Sequence, residues 1–202
     1  MEVLRVSCED EMILEFLKGE FSSERFGNKL NDVLVKLGLD NSIIIDGNIL
    51  NKNENFMRMK IMKLFRGYPN AELFKNFPVF DKWEFVKLNL EDLDKIYFID
   101  YDYWNELSNG TSKAYECAKN VKNGIEVYGV SNKYFLDGIK YLKNNKFPPI
   151  ILITCNGEKY LLVEGHSRMT VYGLIPDKFD GTFAYVGTCS CDEMKKYDKR
   201  MT

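Results

Sequence analysis

The chain has 202 residues, 45% of them hydrophobic and 29% charged, with a formal net charge of −2. That length accommodates one well-buried domain, or one domain with an extension, and the slightly acidic balance argues against non-specific nucleic-acid binding, which needs a basic footprint. No apolar run reaches the roughly 18 residues a membrane span requires, and the N-terminus lacks a signal-peptide pattern, so a cytoplasmic protein with no membrane partner is expected.

Residues 1–77 read as helical. Met12, Ile13, Phe16 and Leu17 make one apolar stripe. Phe26, Leu30, Val33, Leu34 and Leu37 make a cleaner one, with Ser22 and Ser23 as caps before it and Gly38 after it. A third helix places Met57, Ile61, Leu64, Phe65 and Tyr68 on one face and is stopped by Pro69. Arg58, Lys60, Lys63 and Arg66 lie off that stripe and read as a solvated basic face. A sharper reading has Arg66, at the helix end, reaching an anionic ligand. Such stripes must be buried against something. No Gly/Ser/Pro-rich linker follows them, so these helices are expected to share a folding unit with the rest and to wall its site.

After Pro78 the pattern is mixed. Strands are expected at Glu84–Leu88 and Ile96–Asp100. An aromatic run follows, Tyr101-Asp102-Tyr103-Trp104, which reads as packing surface. Helices are expected over Ser112–Lys122 and Lys133–Asn144; Gly110-Thr111-Ser112-Lys113 is the capped start of the first. Pro148-Pro149 introduces the apolar run Ile150–Ile153. Asn156-Gly157 is the strongest hairpin signal in the chain, and the return strand passes through Tyr160, Leu161, Leu162 and Val163. A helix over Ser167–Leu174 stops before Pro176. A last strand, Thr182–Val186, precedes a short polar tail. The five cysteines are scattered and read as reduced thiols without a catalytic role. Cys189-Ser190-Cys191 has the wrong spacing for zinc, and His166 is the only histidine, so no metal site is expected.

The functional candidate is Glu164-Gly165-His166-Ser167-Arg168. A strand that turns through a glycine into a helix exposes backbone N–H groups with no internal partner, reinforced by the helix dipole. Gly165 would let a ligand approach the backbone. Ser167 would cap the helix or donate to an oxyanion, and Arg168 offers a fork suited to phosphate. Glu164 is a candidate Mg²⁺ ligand or general base, or a strand-end charge facing solvent. His166 is a candidate for proton transfer or phosphate contact, or a turn histidine with a local hydrogen bond.

The stretch from Pro148 to Thr170 resembles the ParB/sulfiredoxin superfamily, in which two aliphatic strands lead into a Gly-x-x-Arg segment that opens a helix. The resemblance extends back to Trp83, through Val86-Lys87-Leu88-Asn89-Leu90-Glu91-Asp92-Leu93, and leaves residues 1–77 unexplained. Together with Ile99–Trp104 it is similar to uncharacterised bacterial proteins. ParB proteins carry Gly-Glu-Arg-Arg for CTP binding and hydrolysis; here His166 and Ser167 replace the Glu-Arg pair. Sulfiredoxins carry a nucleophilic cysteine where this chain has His166, which excludes their chemistry. Free-serine kinases have an acidic residue, Gly, two variable residues and Arg, and Glu164–Arg168 is closest to that form. Only 34 residues follow Arg168, too few for a ParB-type DNA-reading domain.

The resemblance therefore implies an α+β fold, with a helical N-terminal extension (1–77) on a ParB/sulfiredoxin-like mixed domain (78–202). It implies a ligand that is a nucleotide or phosphorylated small molecule, with Mg²⁺ accompanying the nucleotide and phosphotransfer or phosphohydrolysis as the reaction class. Asp100 and Asp102 are added as carboxylates near the ligand, and Arg66 as a second cation opposite Arg168. The alternative is a catalytically silent ligand-sensing or protein-interaction module. A second carboxylate converging on Glu164 separates the two.

Overall fold

The run Ile150–Thr154 is buried at every position, as a strand covered on both faces must be. In the computed structural model, which describes residues 1–201, it is the fourth of six strands. These are β1 (Glu2–Ser7), β2 (Phe80–Leu88), β3 (Ile96–Phe98), β4 (Ile150–Thr154), β5 (Tyr160–Glu164) and β6 (Thr182–Cys189). They form one mixed sheet in the order β1-β2-β6-β4-β5-β3. Pairing is parallel between β4 and β6 and between β3 and β5, and antiparallel elsewhere.

Strand periodicity divides the side chains between two helical layers. Ile151, Ile153, Leu161 and Val163 point to one face, against α1 (Glu9–Phe21), α2 (Gly27–Leu37) and α4 (Lys52–Arg66). The short α3 (Ser42–Ile45) joins the same cluster through Ile44. Ile150, Leu152, Leu162, Ala184 and Val186 point to the other face, against α5 (Asp102–Leu107), α6 (Ala114–Lys122), α7 (Lys133–Tyr141) and α8 (His166–Leu174). Among the described residues no helix is long and apolar enough to cross a membrane.

Residues 1–77 are not purely helical. They open with β1, which pairs along β2, and their helices share one core with β4 and β5. Strand β1 escapes a pattern search because it lies at the sheet edge and is exposed on both faces, so no alternation is imposed on it. In α4 the buried set is Arg58, Ile61, Met62 and Phe65. Leu64, placed on the expected stripe, is 49% exposed. The true face is therefore rotated from the one read in sequence, and Arg58 sits inside it rather than on a solvated face. Its guanidinium is fully buried. It pairs with Glu54 at 3.0 Å and donates to the Ile43 and Asn48 carbonyls and to the Asn55 side chain. Its terminal nitrogens are matched while Nε has no partner; a buried guanidinium persists when most of its donors are satisfied.

Two features of the tail also depart from expectation. Cys191–Tyr197 is a helix, α9, capped by the Ser190 hydroxyl, which accepts from the Glu193 N–H. Cys155 and Cys191 are joined by a disulfide. It ties α9 to the β4–β5 hairpin across 36 residues of chain, a separation that carries no signal in the sequence. Cys8, Cys117 and Cys189 are free thiols.

Candidate functional site

Helix α8 begins where β5 ends, and Gly165 makes the turn with φ +112°, a conformation that side chains disfavour. A Cβ at this position would lie 2.5 Å from Cγ2 of Ile150. The glycine is thus required by its backbone angle and by close packing on β4. A close-packed neighbour occupies the space that the sequence reading reserved for a ligand.

Arg168, one turn into α8, reaches back over the start of β4. It donates to the Pro148 carbonyl at 2.8 Å and the Pro149 carbonyl at 2.5 Å, and pairs with Glu164 at 2.7 Å. Its side chain is 11% exposed. Glu164 is therefore not a strand-end charge facing solvent but one half of a half-buried pair. Helix α1 lies directly over this pair: a Cβ on Gly19 would sit 3.0 Å from Oε1 of Glu164 and 3.5 Å from the Arg168 guanidinium.

That contact brings in carboxylates that sequence reasoning missed. Glu20 is buried and accepts from Arg66 at 2.6 Å, while its other oxygen has no partner. Burial, reinforced by the nearby Glu164 charge, lifts its carboxyl to about 7, against the pull of Arg66. Burial also raises the Glu15 carboxyl, opposed by Arg168 and Lys18. Arg66 lies flat on the Phe26 ring at 3.8 Å. Arg66 pairs with Glu20 and Arg168 with Glu164, so each arginine is held by a carboxylate of its own. A signal for Glu20 did exist: Ile13, Phe16, Leu17 and Glu20 follow the i, i+3, i+4, i+7 spacing of a buried face, so the stripe runs straight into a carboxylate.

The remaining candidates fall into two groups. Ser167 is half-buried and hydrogen-bonds with the Tyr134 hydroxyl, on α7. His166 is buried, stacked on Trp104 at 5.2 Å and edge-on to Phe98. One of its nitrogens bonds with the Leu162 carbonyl, and Nε2 has no partner. Burial, with Arg168 nearby, pushes this imidazole down to about 3, so it stays neutral at physiological pH. Asp100 and Asp102 are exposed. Asp100 accepts from Asn105 at 2.7 Å, and Asp102 begins α5; neither is paired with Glu164 or Arg168. The carboxylates that do converge on Glu164 come from α1. Among the described residues no group of three His, Cys, Asp or Glu side chains could hold a metal ion.

The arrangement is a partly dry seam of alternating charge, Arg66–Glu20 and Glu164–Arg168, where α1 packs over the β5–α8 turn. It can hold a proton on Glu20 near neutral pH. No family model, curated protein or solved structure matches this chain.

Proposed function

We propose that the seam between α1 and the start of α8 binds a phosphate-bearing small molecule, and that the chain is a nucleotide-binding protein of the ParB/sulfiredoxin type. The observation that carries this reading is the gathering of two ion pairs, Arg66–Glu20 and Arg168–Glu164, where α1 packs over the β5–α8 turn. Ionisable groups are seldom gathered in a buried seam without a task, and a carboxyl poised near 7 suits proton transfer. Phosphate oxygens would take the free N–H groups at the α8 start and draw Arg168 from its carbonyl partners. Mg²⁺ is commonly held by one or two carboxylates together with the phosphates it accompanies. Glu164 and Glu20 would supply that pair, and a dedicated cage of three or more protein ligands, which the described residues lack, would not be needed. Phosphotransfer or phosphohydrolysis would then use Glu20 or Glu164 as the base.

One observation favours the second reading, a catalytically silent sensing or interaction module. Both terminal nitrogens of the Arg168 guanidinium already have partners within the chain. A panel of nucleoside mono-, di- and triphosphates, with and without Mg²⁺, separates the two. Under the first reading one nucleotide raises the unfolding temperature by mass action, and turnover of it falls in Glu20→Gln. Arg168→Ala, with native circular dichroism retained, should weaken that nucleotide by on the order of 2 kcal/mol, the scale of a lost charge-assisted contact. Stabilisation without turnover supports the silent module. No stabilisation by any nucleotide refutes the binding site itself.

A further inference from the structure

The other end of α8 has the opposite character. Between the α7–β4 connection, the end of α8 and the start of β6 lies a cleft of about 670 Å³. That is within the range of roughly 300–1,000 Å³ typical of small-ligand sites. Lys87, Lys143, Lys146 and Lys178 line it, and Asp180 is the one carboxylate among its walls. In a chain of net charge −2 this is a local reversal of sign. Among the described residues, ion pairs engage Lys82, Lys119, Lys133, Lys140 and Lys196. None of the four in the cleft is among them, so four cations share one space with no anion assigned to them.

The floor is aromatic and braced. Phe147 stacks on Tyr141 at 5.5 Å, with planes 8° apart, and meets Tyr172 edge-on at 5.5 Å. Tyr172 in turn meets Phe179 at 4.9 Å, and its hydroxyl hydrogen-bonds with the Thr182 hydroxyl at 3.3 Å. These contacts join α8 to β6 beneath the cleft, which limits the ordering cost of binding. Lys87 is held as well. Gly181 has φ +103°, and a Cβ there would lie 2.9 Å from Cε of Lys87, so the lysine stem runs along bare backbone.

We propose that this cleft is a second ligand site, taking a small phosphorylated molecule with a flat ring. The ammonium groups hold the phosphates as mobile point charges, and the exposed surface of Phe147 and Phe183 packs the ring. This inference does not rest on the reading of the α8 N-terminus, because it uses neither Arg168 nor the carboxylates of α1.

The test is calorimetry on the full chain in EDTA, with adenosine triphosphate and inorganic tripolyphosphate as probes. The proteins are the wild type, the triple variant Lys143→Glu, Lys146→Glu, Lys178→Glu, and Arg168→Ala. All three lysines are exposed, and a milder triple glutamine variant guards against misfolding. Adenosine triphosphate should show a binding event that persists in Arg168→Ala and is about tenfold or more weaker in the triple variant, as expected when charge-assisted contacts are lost; any separate event that Arg168→Ala weakens belongs to the α8 N-terminus. Tripolyphosphate should bind more weakly than adenosine triphosphate, because it has no ring. Equal affinity in the wild type and both lysine variants, or no binding below about 10 mM (a free energy under roughly 3 kcal/mol), overturns the proposal. So does a loss confined to Arg168→Ala, which would place the nucleotide at the other end of α8. A ten-base oligothymidylate that binds more tightly than adenosine triphosphate through the same lysines would replace the small ligand with single-stranded nucleic acid.

Discussion

Helix α8 separates two kinds of charged surface. At its N-terminal end Arg168 and Arg66 are matched by Glu164, Glu20 and two proline carbonyls. At its C-terminal end four lysines line a cleft and, among the described residues, form no ion pair. The first set is packed beneath α1, where an unmatched charge would cost several kcal/mol, so it is bound into the fold. The second set projects into water, where unpaired ammonium groups cost little. Substitutions at the two ends should therefore be read by different instruments, stability at one and ligand affinity at the other.

The largest effect is expected from Gly165→Ala. The new Cβ meets Ile150 at 2.5 Å and the backbone must keep φ +112°. Strain and overpacking together should lower unfolding stability by about 3 kcal/mol or more in urea titration. A loss under about 1 kcal/mol would mean that this turn is not as tightly packed as described.

Breaking the Cys155–Cys191 bond tests whether the N-terminal seam depends on covalent bracing. Cys155→Ser should cost about 2–4 kcal/mol in the same titration, reproduced by reducing the wild type, while leaving affinity for any bound nucleotide unchanged. Arg168→Ala should cost about 2 kcal/mol, since it strands Glu164 and two carbonyls in a half-buried setting. The three lysine substitutions of the cleft should each stay within about 0.5 kcal/mol. If the lysine variants lose as much stability as Arg168→Ala, the contrast between the two ends of α8 fails.

The pH dependence sharpens the contrast further. Glu20 has a folded pKa of about 7, above its unfolded value of about 4.3. The folded protein thus binds this proton more tightly, and stability present at low pH is lost as pH rises from about 4.3 towards 7. One proton corresponds to a slope of at most about 1.4 kcal/mol per pH unit. In Glu20→Gln the fall over that window should flatten; an unchanged profile would show that another group causes it. His166 is depressed in its folded pKa, so its contribution is the reverse, stability lost as the pH falls below its unfolded value of about 6.5.

Most of the elements around the site are legible in the residues themselves. Asn156-Gly157 joins β4 to β5, and Pro176 ends α8, because turn chemistry and the missing proline N–H act locally. The α9 helix reads in sequence as a polar tail: Ser190 and Glu193 have the spacing of a capping box, but its single buried residue, Met194, gives no stripe. The site was only half legible. Glu164, Gly165 and Arg168 announce themselves by type and order, and their proximity follows from one turn of helix.

Their roles do not follow from that order. Whether Arg168 meets a ligand or two carbonyls depends on where Pro148 and Pro149 lie, twenty residues earlier. Whether Gly165 faces a ligand or Ile150 depends on the pairing of β4 with β5. The carboxylates gathered near Glu164, Glu15 and Glu20, come from α1 at the other end of the chain, and the lysine cleft collects Lys87, Lys143, Lys146 and Lys178 from separate segments. Local sequence determined the helices, the hairpin and the glycine turn, because those are decided by interactions within a few residues. Only the tertiary structure decided which charges are matched and which stay free, because electrostatic energy depends on burial and distance, and the assembled layers set both.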